Sequence, residues 1–317
     1  TLTINASNLS AASTLCTSGK LEANISSGTI ASGGRLDYYA PSFFASSVLT
    51  GKVHSINFLG TTIAASGTSG TEFLETYQYP GTDDLGATRI NLINTTIGAN
   101  RAITLVEQSG DTQFQNVYVV STGSSALSYD SLTIENPSLL VVGAYNITGQ
   151  DLTSPTDLTL KDGAVTNARL VGVRDGSSLA LDNTTIDTQF FRLDGVLSGN
   201  GTINGKSGAS DAILFAASGA TLSPGNSIGT LTINGSLSIQ GATGLIAELD
   251  PTATPNAELV DVSGAVTGAD NLTVTLERDA GYSGSGAAEI AAFAGATYVV
   301  LDAASIDSDN VTLVEGS

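Results

Sequence analysis

The sequence predicts an all-β fold of short strands stacked by repetition, a right-handed parallel β-helix, and three observations carry that expectation. Triplets with apolar ends recur along the chain: Leu2-Thr3-Ile4, Leu132-Thr133-Ile134, Leu158-Thr159-Leu160, Leu179-Ala180-Leu181 and Leu231-Thr232-Ile233. Two segments nearly copy each other, Leu92-Ile93-Asn94-Thr95-Thr96-Ile97-Gly98 and Leu181-Asp182-Asn183-Thr184-Thr185-Ile186-Asp187. No long window carries apolar residues at the 3.6-residue spacing of a helix. Neighbouring units lie about 20–26 residues apart, the range of a solenoid coil. At roughly 22 residues per coil and ~4.8 Å between strands, the rod would be ~70 Å long.

Composition agrees with that geometry. Of 317 residues 41% are apolar, yet only 6% are aromatic and there is no Trp or Met. A core of slim aliphatic side chains suits identical layers that repeat along an axis. Asp162-Gly163, Asp175-Gly176, Asp194-Gly195 and Asn200-Gly201 are read as turns between strands. The units repeat in one sense, with several short strands per period, which favours stacking over hairpins.

The formal charge of −19, from 30 acidic and 11 basic residues, argues against nucleic acid as a partner. It argues equally against electrostatic attachment to an anionic membrane and points to a self-repelling extracellular surface. No cofactor is implied. Calcium finds no motif, because Asp83-Asp84 is a bare pair and Asp302, Asp307 and Asp309 make neither an EF-hand nor a glycine-rich nonapeptide. Cys16 stands alone, so no intrachain disulfide forms. No stretch reads as a signal peptide or a transmembrane helix.

The most distinctive stretch is Gly219-Ala220-Thr221-Leu222-Ser223-Pro224-Gly225-Asn226-Ser227-Ile228-Gly229-Thr230-Leu231-Thr232-Ile233-Asn234-Gly235. It resembles the segment near the C-terminal end of passenger domains in bacterial autotransporters, the type V secretion family. The resemblance continues through Ala247–Asp250, Glu258–Gly264, Leu272–Leu276 and Tyr298–Leu301, about the last third of the chain. It implies a β-helical passenger over residues 1–239 and a C-terminal capping, autochaperone-like module over 240–317. Ser223, Pro224, Gly225, Asn226, Ser227 and Gly229 carry the family motif, and the expected role of Pro224 and Gly225 is to shape one turn. The resemblance further implies export to the bacterial surface or release from it, in adhesion or self-association. The expected partners are a host surface protein or glycan, or further copies of the chain. An outer-membrane barrel of the same precursor is expected as well, and is not contained in this chain.

Residues 33–88 depart from the rhythm. Tyr38, Tyr39, Phe43, Phe44, Phe58, Phe73, Tyr77 and Tyr79 gather here, with the single His54. Two readings stay open: an N-terminal cap of larger side chains closing the stack, or a loop region that recognises a receptor. On the second reading the binding residues are Tyr38, Tyr39, Phe43, Phe44, Tyr77 and Tyr79, and the chain is a toxin-like effector.

Enzymatic readings are weaker. A polysaccharide hydrolase needs two carboxylates about 5–10 Å apart, but Asp162, Asp175 and Asp194 precede Gly and look like turn formers. Asp182 and Asp187 flank a strand. A lyase would want acid clusters beside Arg169 or Arg174, and none is evident. His54 has no G-x-S-x-G elbow to serve, and one His with one Cys cannot furnish a usual zinc site. The chain is not expected to be an enzyme.

Overall fold

The structure is a computed structural model. It describes residues 2–5, 12–16, 22–26, 28–40, 54–78, 88–107, 115–121, 126–143, 145–147, 150–152, 155–205, 212–225, 228–280, 282, 292–294, 296–307 and 311–315. The chain is all-β. Among the described residues one sheet of 24 strands dominates, beside a three-stranded and a two-stranded sheet, an arrangement consistent with a solenoid. Among the described strands every pairing is parallel except that of Tyr145–Ile147 with Gln150–Leu152, an antiparallel hairpin.

The registers resolve into three columns. In the first, Leu2, Ala23, Ile56, Ile90, Val117, Leu140, Val171, Phe191, Leu214, Leu237, Val266 and Ile306 follow one another, each beside the next. In the second, Leu36, Leu74, Ile103, Ile134, Val165, Ile186, Ile203, Ile233 and Val262 do the same. The third runs Leu127, Leu158, Leu179, Leu197, Leu222, Leu245, Val274 and Leu313. Side chains alternate across each strand, so the buried members of these files line one interior, while Ile306 and Leu313 on the last rungs are exposed. Strand Thr230–Ile239, for instance, buries every second residue. Each fully buried Leu or Ile contributes about 1.5–3 kcal/mol. Equal residues stack because parallel strands in register bring identical positions within ~4.8 Å of one another.

The period is less regular than the sequence suggests. In-register partners are 17 residues apart at Asp187 and Asn204, 34 apart at Asn57 and Asn91, and span 266 to 306 near the end. Longer coils give a shorter rod: twelve rungs in the first column correspond to about 50 Å.

The corners are built from residues that tolerate a left-handed backbone. Ser131, Asp162 and Asn183 all have φ near +50° and sit one above another. The Ser131 N–H donates to Lys161 O (2.7 Å) and the Asp162 N–H to Asp182 O (2.8 Å). Asp162 and Asp175 thus stand at bends, as their sequence setting predicts. Asn200-Gly201 differs. It lies inside strand Val196–Gly205, because the strand carries on through the corner from the third column into the second. Gly199 makes that passage possible: its φ is +94°, and a Cβ there would lie 2.0 Å from Leu181 O.

Within 33–88 the described strands Arg35–Ala40, His54–Leu59 and Thr71–Gln78 keep the registers of their neighbours. What breaks the spacing is the length of chain between them. Phe58 and Phe73 point into the core, fully buried, with ring centroids 5.6 Å apart, edge to face.

Candidate functional site

Buried apolar side chains of the described residues line the interior in one continuous cluster, and polar groups gather on the outer faces and at a few buried positions. On the outer face of the second column, Thr133, Ala164, Thr185, Thr202, Thr232, Asp261 and Asp302 form one file in register. Beside it run Asp187, Asn204 and Asn234. Asn234 Nδ2 donates to Asn204 Oδ1 (2.7 Å), and Asn204 Nδ2 donates to Asp187 Oδ1 (2.9 Å). Each amide spends one donor on its neighbour and keeps capacity for a ligand or water. The result is a flat, hydroxyl- and amide-bearing strip with fixed rotamers.

The outer face of the first column changes character along its length. Asn91 Nδ2 donates to Asn57 Oδ1 (2.6 Å) and Asn57 Nδ2 to Asn24 Oδ1 (2.7 Å). Asn57 and Asn91 are buried although they face away from the core. Next in register stand Tyr118 and Val141, which with Val120 form a small apolar cluster apart from the main core, Leu139 packing against it. Leu170 and Phe190 follow Leu139, and the Phe190 and Phe215 rings lie 6.2 Å apart. Leu170, Phe190 and Phe215 are half-buried. Arg192, beside Phe215 in register and two residues past Phe190 on its strand, holds Asp194 through Nε at 2.9 Å with its side chain still 59% exposed.

Two polar clusters are structural in geometry. Arg101 is fully buried. Its guanidinium donates to the carbonyls of Thr71 (3.1 Å), Ala31 (3.1 Å), Ser32 (3.2 Å), Ala64 (2.8 Å), Gly34 (2.7 Å) and Glu72 (3.4 Å). The Phe73 ring lies 5.8 Å from its centre. Burial lowers the Arg101 pKa, yet the carbonyls solvate a guanidinium well. Nearby, Arg35 bonds Asp37 (2.6 Å), Glu75 (3.1 Å) and Glu72.

Near the C-terminal end, Glu258 is buried and accepts the Glu248 N–H at 2.9 Å. Burial, helped by the charges of Glu248, Asp279 and Glu277, pushes its pKa up to about 7. Glu248 is shifted upward as well, by burial first and then by Asp279 and Glu277. Among the described residues no group of three or more His, Cys, Asp or Glu is arranged to hold a metal ion. No helix among them is long and apolar enough to cross a membrane.

The sequence-predicted aromatic site is met only in its backbone. Tyr38 and Tyr39 lie on strand Arg35–Ala40, and Tyr77 on strand Thr71–Gln78. The register sets Tyr39 beside Tyr77 and Tyr38 beside Thr76. Phe43, Phe44 and Tyr79 fall outside the described residues. Of the motif residues, Ser223 and Pro224 end strand Thr221–Pro224. Gly225 follows with φ +90° and donates its N–H to Gly199 O (2.8 Å). Gly229 accepts the Leu259 N–H at 3.0 Å, while Asn226 and Ser227 lie outside the described residues. Both of these hydrogen bonds are backbone to backbone.

Sequence reasoning missed Arg101 and the outward Leu170, Phe190 and Phe215. Nothing around Arg101 marks it. The adjacent pair Phe190-Phe191 was a usable signal, since in a strand only one of two neighbours faces the core. Compared with known proteins, the chain matches no family model, no curated protein and no solved structure.

Proposed function

We propose that this chain is an extracellular passenger of the autotransporter type, a right-handed parallel β-helix that acts at or beyond the bacterial surface in adhesion or self-association. Right-handed passage from one parallel strand to the next is the strongly favoured hand. The observation that carries the functional reading is the pair of outward files on the second column, Thr185, Thr202 and Thr232 beside Asp187, Asn204 and Asn234. A single hydroxyl or amide contact is worth about 0.5–1.5 kcal/mol. A repeated row multiplies such contacts without a deep pocket, because the second and later contacts form at high effective concentration. Expression on a bacterial surface should make cells clump or hold them to a host-cell layer, and sedimentation velocity should show association of the purified chain. A strict monomer that clumps no cells and binds no surface would end the proposal.

A receptor-binding role for residues 33–88 is favoured by one observation, the adjacency of Tyr39 and Tyr77 in neighbouring rungs. Replacing both by Ser should abolish binding to host cells while leaving aggregation of the bacteria intact.

A further inference from the structure

We infer that Glu258 and the carboxylates packed round it form a proton-operated catch on the C-terminal rungs. Protonated, Glu258 holds residues 250–258 down on the end of strand Thr243–Leu249. Ionised, it lets that corner open while the rungs before it stay closed. The inference goes beyond the adhesion reading and does not rest on it.

The corner is a segment of chain folded back on itself. Leu249 and Ala257 pair across it as an antiparallel bridge, and the Asp250 N–H donates to Asn256 O (3.0 Å). At its neck Glu248 and Glu258 bond each other twice. The Glu258 N–H donates to Glu248 O (2.9 Å), and the Glu248 N–H donates to the Glu258 carboxyl at Oε2 (2.9 Å). The next rung leans on the same neck, since the Asp279 N–H donates to Leu249 O (3.0 Å). Asn256 Nδ2 donates to Thr297 O (3.2 Å) and ties the segment to the chain that follows. Opening at the neck releases backbone bonds around 248–250, 256–258 and 279.

Charge makes the neck responsive. Glu258 and Asp279 are buried, and the register sets Glu248 beside Glu277, so like charges on neighbouring rungs face one another. Burial comes first in holding the Glu258 pKa up to about 7; the Glu248 N–H pulls it down, and the charges of Glu248, Asp279 and Glu277 push it up again. None of the groups acting on Glu258 is a cation. Asp250 on the segment itself has Oδ1 engaged by the Thr252 N–H (2.7 Å) and hydroxyl (2.6 Å). The other titratable groups on the surrounding stretches are Asp261, Arg278, Tyr282, Tyr298 and Asp302. Arg278 lies exposed and is the one Lys, Arg or His from residue 207 to the end of the sequence. Loss of the Glu258 proton thus adds a charge to a buried acidic corner, and opening relieves it by admitting water. The closed state keeps a proton that the open state has released, so opening becomes easier as pH rises from about 4 to about 7 and levels off above that.

The test follows amide hydrogen exchange of the whole chain from pH 5 to pH 8, with rates corrected for the intrinsic pH dependence of exchange. In the wild type, protection at 248–250, 256–260 and 279 should fall about tenfold or more across that range, while protection at 157–239 holds. Glu258→Gln keeps an acceptor for the Glu248 N–H and carries no charge, so its protection at these amides should not change with pH. Glu277→Gln removes a neighbouring charge; its fall should be smaller than in the wild type and level off at lower pH. That second variant decides the question where Glu258→Gln does not fold. Protection that stays flat in the wild type, that falls evenly along the chain, or that still falls in Glu258→Gln overturns the inference. Cell clumping tests the adhesion reading separately, and neither result bears on the other.

Discussion

Residues 28–107 and residues 157–239 share the first and second columns and hold the stack together differently. In the later region in-register partners are as close as 17 residues, the interior files are aliphatic apart from Phe191, and corners are single residues such as Asp162 and Asn183. In the earlier region partners are 33 and 34 residues apart. There the interior admits Phe58 and Phe73, and Arg101 spreads its donors over the carbonyls of residues 31–34, 64 and 71–72. A short coil closes largely on apolar side chains. A longer coil leaves carbonyls at its bends that the strand ladder does not reach, and a buried guanidinium satisfies them.

Removing Arg101 should break this contrast most sharply. Arg101→Ala strands several buried carbonyls and is expected to cost about 3 kcal/mol or more. The loss should concentrate in residues 28–107 when amide hydrogen exchange is followed, with 157–239 little changed. Uniform loss of protection would show the two regions to be one cooperative unit.

In the later region the matching perturbation is Ile203→Ala, which opens a cavity between Ile186 and Ile233. It should cost about 2–4 kcal/mol, read from urea denaturation, with exchange loss now confined near 178–239.

A smaller effect concerns pH. Glu258 has a folded pKa of about 7, above the roughly 4.3 of an exposed glutamate. Its folded state binds a proton that the unfolded state has released between those values, so its contribution to stability is complete below about pH 4 and lost as pH rises through 7. Melting temperature should therefore fall from pH 5 to pH 8. Glu258→Gln should flatten that fall, raising the melting temperature at pH 8 by several degrees and hardly at all at pH 5.

Least of all should come from the amide ladder. Asn204→Ala removes two side-chain bonds, to Asp187 and from Asn234, and should cost about 0.5–1 kcal/mol. Loss of cell clumping in this variant at unchanged stability would tie the ladder to binding.

Much of the fold was legible because a parallel stack writes itself into sequence. Leu158, Leu179, Leu197 and Leu222 are spaced as strand positions in successive coils, and they do lie beside one another. Asp162 and Asp175 were readable as bend residues from their Gly neighbours. Asn200-Gly201 was misread as a turn because the same dipeptide serves a bend taken within a continuous strand. The candidate site was less legible. Tyr39 and Tyr77 stood out by residue type, but their adjacency depends on a register that crosses 38 residues.

What the sequence determined alone was the periodic choice of Leu, Ile and Val at alternate positions, since burial of those side chains requires strands and their repetition requires stacking. The tertiary structure decided how many residues each coil takes, which outward side chains meet, and that Arg101 lies inside. Those outcomes depend on where distant rungs fall in register, and local hydrophobic pattern carries no record of a partner thirty residues away.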